Sequence, residues 1–371
     1  MRAARCVLTA VLCLIVLSGS AWAADEVWNG QKDFIGADSV KRALDGQTQS
    51  LLGEIDISSE IELGESLIRI VEKTESERTQ AVKSTISTLA RVTVVLLFCG
   101  CAAGFGSASR LPSPILPMAG ALGVTAVIYG DLHGLMSLCL ETIDSMDIFS
   151  ASMMPVMASA LTISGAPATA ALTYGATMFV FDLTVSIITG LLVPAVSGYI
   201  AVITVNAAIG NDMLSRMASF LKWVVSGILK ILLTGFVAYI TISGTVSHGL
   251  DNGAVKTAKF ALSGSIPVVG GIISGATDTL LSGAILLKNA LGVFGMLCIA
   301  AICIVPFLRV GISYLIFKAG TAVLSPVTPP QLSKLMEGIV SGFGMLLGML
   351  GSCAAILFFE LVFAVTMVKA I

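Results

Sequence analysis

From Ile86 onward the chain is a series of apolar segments separated by short polar stretches. A helix of ~20 apolar residues crosses ~30 Å of hydrocarbon and satisfies its own backbone hydrogen bonds. The pattern therefore predicts an all-α, polytopic helical membrane protein with about seven to nine spans, one or two of them broken or re-entrant. The predicted spans lie near 86–106, 115–136, 148–164, 168–189, 190–209, 222–246, 290–308, 309–325 and 338–368, with an interrupted segment at 265–287.

Residues 1–23 are typical of a secretory signal peptide. Arg2 and Arg5 precede a short apolar core, and Ala21-Trp22-Ala23 is a small-x-small cleavage site. An uncleaved first span is the alternative, but the apolar core is short for the ~20 residues that a span needs. We expect cleavage between Ala23 and Ala24, which places the mature N-terminus outside the cytoplasm.

Residues 24–84 form a polar, mainly acidic region that we expect to be extracytoplasmic and partly helical, ahead of a transmembrane domain at 85–371. From Leu51 to Leu89 the apolar residues recur at spacings of three and four, as in an amphipathic helix. Its charged face is interpreted as solvated, with a partner-binding helix as the alternative.

Lys and Arg in short loops predict the orientation. A start outside places Arg110 inside, the acidic loop at 137–147 outside, and the loop with Arg216 and Lys222 inside. The loop at 247–262 should then lie outside although it carries two lysines.

The stretch SIPVVGGIISGATDTLLSGAILLKN, residues 265–289, is apolar but interrupted. If residues 265–287 cross the membrane fully, Lys288 lies inside and Arg309 outside. If they form a re-entrant loop, Arg309 and Lys369 lie inside, which the charge pattern favours. Non-helical backbone at membrane depth requires surrounding protein or a water-filled cavity, so this segment is a candidate wall of a polar pathway.

A similar arrangement follows Pro155, where Ser164-Gly165-Ala166 corresponds to Ser274-Gly275-Ala276 after Pro267. Paired interrupted helices are typical of transporters with internal repeats. Small residues also serve as ordinary helix contacts, which is the alternative interpretation.

Short carboxylates inside apolar segments are the other candidate polar groups. A charge near the bilayer centre is costly, so Asp182, Asp278 and Glu360 are expected to face the bundle interior or to pair, whereas Lys288 can snorkel. For Asp278 the alternative is capping of a helix that resumes after it. The predicted polar-pathway or broken-helix residues are Pro155, Asp182, Pro267, Gly270, Gly271, Ser274, Gly275, Asp278, Lys288 and Glu360.

Composition agrees with a membrane protein and argues against enzyme chemistry. The chain is 56% hydrophobic and 12% charged, its net charge is −2, and its mean hydropathy is +0.96. Nothing in this charge favours nucleic acid. The local patterns HExxH, GxSxG and GxxxxGK are missing, so no catalytic residue, metal or cofactor is predicted.

One long stretch resembles a known family. GAVKTAKFALSGSIPVVGGIISGATDTLLSGAILLKNALGVFG, residues 253–295, is similar to the stage III sporulation protein AE family of endospore-forming Firmicutes. The resemblance rests on 256–260, Ile266-Pro267-Val268, Ala276-Thr277-Asp278-Thr279 and 286–289 before Gly292. It is specific over 253–325, looser over the other spans, and does not extend to 24–84.

The resemblance implies a multi-pass protein of the mother-cell membrane that surrounds the forespore. It implies partners from the same operon, namely an ATPase and ring-forming proteins, and a partner on the forespore side. The family assembly is thought to form a channel or feeding conduit needed for late forespore gene expression. A homo-oligomer is also compatible with the sequence.

Two functional classes therefore stay open. In one, the chain is a permease-like core whose broken segments and polar residues contact the transported species. In the other, it is a membrane scaffold whose outer region recruits the ring proteins, and the glycines near 338–351 only pack helices. Asp278 and Glu360 favour the first class.

Overall fold

The computed structural model describes residues 38–53, 55, 63–106, 115–163, 170–171, 175, 177–265 and 270–366. Within these ranges every regular element is a helix, and no strand occurs. The predicted all-α class is confirmed. The predicted signal peptide, with its expected cleavage between Ala23 and Ala24, lies outside the described residues.

Three short helices precede the long ones: α1 Asp38–Arg42, α2 Gly46–Leu52 and α3 Leu63–Lys73. Asp45 caps α2, because its carboxylate accepts a hydrogen bond of 3.1 Å from the Thr48 amide. Lys73 at the end of α3 donates to the carbonyl oxygens of Ser50 and Leu51. It thereby satisfies two carbonyls at the C-terminal end of α2, where no intrahelical donor is available.

The amphipathic helix predicted from Leu51 to Leu89 is not one element. Helix α3 ends at Lys73, and α4, Glu75–Gly106, begins two residues later. Thr74 lies between them, and its hydroxyl donates to the Ile70 carbonyl at 2.8 Å. Helix α4 then continues without a break from the polar region into the first predicted span.

The remaining elements are long helices joined by short connections. They are α5 Ile115–Ile163, α6 Met178–Ile187, a π-helical segment Ile188–Leu192, α7 Val193–Ile209, α8 Asp212–Ser265, α9 Gly270–Leu324 and α10 Pro330–Thr366. In the described part of the chain, six continuous helical stretches are long and apolar enough to cross a membrane. They comprise α4, α5, the α6 to α7 stretch, α8, α9 and α10.

Four predicted loops or boundaries are helical instead. The boundary at 189/190 lies in the π-helical segment of the continuous stretch Met178–Ile209. Helix α5 runs through the expected acidic loop at 137–147, α8 runs through the expected loop at 247–262, and α9 runs through the expected boundary at 308/309. Glycine and proline, the usual helix-ending residues, are missing from 137–147. The acidic residues at 137–147 predict a loop. They lie instead on helix α5, which is longer than the hydrocarbon is thick and can carry charged side chains on its exposed faces.

Helix α10 is the core of the bundle. It packs against α5, α7, α8 and α9, and many of its side chains are fully buried. Its glycines face three neighbours: Gly338 and Gly342 contact Ile203 and Ile200 of α7, Gly348 contacts Leu229 of α8, and Gly344 and Gly351 contact Tyr314 and Phe307 of α9. Small residues allow such close helix contacts, so these glycines pack helices.

The C-terminal ends of α4 and α7 lie at one end of the bundle. The N-terminal ends of α5, α8 and α10 lie there too. Gly100 lies against the Val327 carbonyl, and Gly120 lies against Leu332. We call this the basic end, because Arg216, Lys222 and Lys334 lie near the helix termini there. This arrangement agrees with the prediction that the loops at Arg110 and Arg216 share a side, although Arg110 itself lies outside the described residues.

Candidate functional site

Most of the interrupted segment at 265–289 is helical. Helix α8 ends at Ser265 and α9 begins at Gly270, so Gly270, Gly271, Ser274, Gly275 and Asp278 are all positions of the continuous helix α9. Pro267 lies in 266–269, outside the described residues. From Gly270 onward the helix is continuous, so the predicted interruption is wrong for that part of the segment.

Pro155 and Asp182 belong to two other helices. Pro155 is exposed inside α5, which continues past it to Ile163. The helix is thus not interrupted at the proline itself. Asp182 is exposed on α6, close enough to Asp147 of α5 for the like charges to interact.

Lys288 is buried rather than extended to an interface. Its side chain lies in α9 with 1% exposure, and its Nζ donates a hydrogen bond of 2.8 Å to the Val365 carbonyl. Val365 belongs to the last turn of α10, where carbonyls lack intrahelical donors and the helix dipole favours a cation. This hydrogen bond therefore links the C-terminal end of α10 to α9.

Glu360 is the most unusual polar group in the described part of the chain. It lies in α10 with 0% exposure, and neither carboxyl oxygen has a hydrogen-bond partner. The hydroxyl of Thr177, which directly precedes α6, is near enough to interact with the carboxyl. Thr177 is itself fully buried and forms no side-chain hydrogen bond of ordinary geometry.

Residues close to Glu360 in sequence pack tightly against α9. Gly295 of α9 lies against Leu361 and Met153, and Gly292 lies against Val365. A buried carboxyl without partners is costly in such an apolar environment. Packing alone therefore does not account for a carboxyl at this position.

A second polar feature, which we call the polar cleft, lies between α4, α5 and α9. It encloses about 270 Å³. Its polar lining residues are Gln80, Ser84 and Thr85 of α4, Asp131 of α5, and Arg309 and Ser313 of α9.

Two interactions join the walls of the polar cleft. Arg309 donates a hydrogen bond of 2.6 Å to Glu77 of α4, and the hydroxyls of Thr85 and Ser313 are hydrogen-bonded at 3.2 Å. The sequence pattern does not indicate this site, because Arg309 falls at a predicted boundary between spans. A lone arginine within an apolar run could have indicated a partner on another helix.

A larger cavity of about 450 Å³ lies at the basic end, between α7, α8 and α10. Lys222 crosses it and donates to the Ser341 hydroxyl at 3.1 Å. Asp212, Lys334 and Glu337 also line it. Both signs of charge are thus present, and no single ligand class is favoured.

A bundle of long apolar helices around a buried central helix, with polar groups enclosed between helices, defines the chain as a polytopic helical membrane protein. The family model of Stage III sporulation protein AE matches residues 58–369. The chain therefore belongs to the stage III sporulation protein AE family, as the sequence resemblance predicted.

A curated relative agrees with this assignment. Stage III sporulation protein AE of Bacillus subtilis (strain 168) is 24% identical over 195 residues, which cover 53% of this chain and 49% of the relative. The match thus spans about half of the relative's length. No solved structure matches the chain.

Proposed function

We propose that this chain is the permease-like membrane core of a conduit between the mother cell and the forespore. In this proposal it lies in the mother-cell membrane around the forespore, with its mature N-terminus outside the cytoplasm. It works with the ATPase and ring-forming proteins of its operon and with a forespore-side partner. Membership of a stage III sporulation family supports a role in sporulation.

The observation that carries the permease-like role is Glu360. Its carboxyl is fully buried in the central helix and forms no hydrogen bond of ordinary geometry with any described residue. Polar groups at such positions in membrane proteins mark solute or ion pathways. A protein selected only for tight packing would gain stability from an apolar side chain there.

The test compares Glu360→Leu with Glu360→Gln in sporulating cells. Leucine should fill the site and keep or raise the stability of the purified protein. If the carboxyl belongs to a pathway, late forespore gene expression should nevertheless fall, while the operon partners still co-purify with the variant. Normal late forespore expression in both variants would contradict the proposal.

The second candidate function is a scaffold that recruits and anchors the ring and ATPase components. The contacts of Gly338, Gly344 and Gly348 with three different helices favour it. A scaffold predicts that variants at these glycines lose partner co-purification and late forespore expression together, whereas Glu360→Leu changes neither.

A further inference from the structure

The polar cleft contains a carboxylate that pairs with no residue in the described part of the chain. Asp131 lines the cleft on α5, is partly exposed, and forms no hydrogen bond or ion pair with any described residue. The cation of the cleft, Arg309, is already paired with Glu77 at 2.6 Å. The three groups together leave one uncompensated negative charge.

Four other lining residues offer neutral oxygen atoms, and the remaining ones are alanine, glycine and leucine. Ser84, Thr85 and Ser313 contribute hydroxyls, and Gln80 contributes an amide. Thr85 and Ser313 share one hydrogen bond, which leaves a lone pair on each hydroxyl for another partner. Hard cations prefer such oxygen ligands.

The size and charge of the cleft restrict the ligand further. Its volume is about 270 Å³, compared with ~30 Å³ for one water molecule in the liquid. It can therefore hold a cation together with several waters. One uncompensated charge is balanced by a monovalent ion, whereas a divalent ion would leave an excess positive charge. Calcium sites also gather several carboxylates, and an anion would be repelled by Asp131.

We propose that the polar cleft binds a small, partly hydrated monovalent cation, with Asp131 as its charged ligand. Sodium, potassium and the ammonium ion share this chemistry. The site is separate from Glu360 and does not rest on the conduit role.

Two glycines of α5 can be replaced by a larger residue that fills the cleft without a steric clash at its Cβ atom. Gly130 and Gly134 line it, and a Cβ added at either would meet no atom within 4 Å. A leucine at position 134 would extend into the open space beside Asp131. Gly235 of α8 is equally open but lies outside the cleft lining, so Gly235→Leu is the matched control.

The experiment measures equilibrium binding of radioactive sodium to the purified full chain in phosphatidylcholine nanodiscs, which contain no anionic lipid. Potassium and ammonium should compete, whereas the large cation N-methyl-D-glucamine should not. Asp131→Asn removes the charged ligand and should weaken binding about tenfold or more. Asp144→Asn on the same helix should leave it unchanged.

Gly134→Leu should also weaken sodium binding, and Gly235→Leu should not. This second variant keeps the proposal testable if Asp131→Asn does not fold. The proposal is overturned if the wild-type chain shows no saturable binding, or if N-methyl-D-glucamine competes as well as potassium. Wild-type affinity in Gly134→Leu or in a folded Asp131→Asn would overturn it equally.

Discussion

Arg309 of α9 donates a hydrogen bond of 2.6 Å to Glu77 of α4 across 232 positions of sequence. Their side chains are 38% and 30% exposed, so the pair is neither fully buried nor fully solvated. The pair fixes the N-terminal part of α4 against the middle of α9. It also closes one side of the polar cleft.

The first prediction concerns the stability of this pair. Arg309→Met should lower the free energy of unfolding by about 1–2 kcal/mol, because a hydrogen bond between charged groups is lost from a partly exposed site. Thermal denaturation in detergent at low and high salt measures the change.

The charge-reversed double variant, Glu77→Arg with Arg309→Glu, is the control. It should recover part of the loss that each single variant shows, since the attraction is restored with opposite polarity. Purely additive single and double variants would mean that the two side chains do not interact in solution.

This pair also shows where prediction from sequence failed for the fold. The apolar pattern located the long helices well, as in the predicted span 338–368 and the observed α10 at Pro330–Thr366. The pattern failed at 137–147 and at Arg309. Charged residues predicted a loop or a boundary there, and both positions lie within continuous helices. A charged residue that pairs with another helix interrupts the apolar pattern in the same way as a charged residue in a loop. The apolar pattern alone therefore cannot distinguish the two cases.

The second prediction uses the close contact at the basic end. A Cβ added to Gly100 would lie 2.6 Å from the Val327 carbonyl oxygen, a backbone atom that cannot rotate away. Gly100→Ala should therefore lower the free energy of unfolding by about 1–3 kcal/mol.

Gly227→Ala on α8 is the matched control for Gly100→Ala. Its added Cβ would meet no atom within 4 Å, and alanine favours a helix over glycine by up to ~1 kcal/mol. Its stability should stay equal or rise in the same unfolding assay. Equal losses in both variants would show that the contact with Val327 is not the cause.

The third prediction concerns Lys288 and the end of α10. Lys288→Met keeps the length of the side chain but removes the hydrogen bond to the Val365 carbonyl. Amide hydrogen exchange in the last turn of α10 should become faster, because this turn frays more easily without its donor. Exchange in the middle of α10 should not change.

Lys318→Met serves as the control for Lys288→Met. Lys318 lies on the same helix but is exposed, and its Nζ donates to the Tyr314 hydroxyl at 3.1 Å. Exchange in the last turn of α10 should be normal in this variant. If both variants accelerate it equally, a general effect of lost charge on α9 would explain the result better.

The candidate site was predictable only in part. Glu360 was identifiable because a short carboxylate inside a long apolar run is unusual. Its missing hydrogen bonds, and the proximity of Thr177, depend on how α6 and α10 pack and have no local sequence signal. The same is partly true of the polar cleft, whose walls come from α4, α5 and the distant helix α9. The lone Arg309 indicates a partner on another helix but does not identify it.

The last prediction concerns the topology of residues 265–287. Helices α8 and α9 contain 54 and 55 residues, and at 1.5 Å per residue each is about 80 Å long, against ~30 Å of hydrocarbon. One end of each helix lies at the basic end, so we expect 266–269 to lie beyond the opposite membrane face.

A cysteine-labelling experiment tests this topology in a chain without its native cysteines. Ser263→Cys, Ser274→Cys and Asn289→Cys should react with an impermeant thiol reagent from the same side of the membrane. Ser325→Cys should react from the other side. Reaction of positions 263 and 289 from opposite sides would instead establish a full crossing between them.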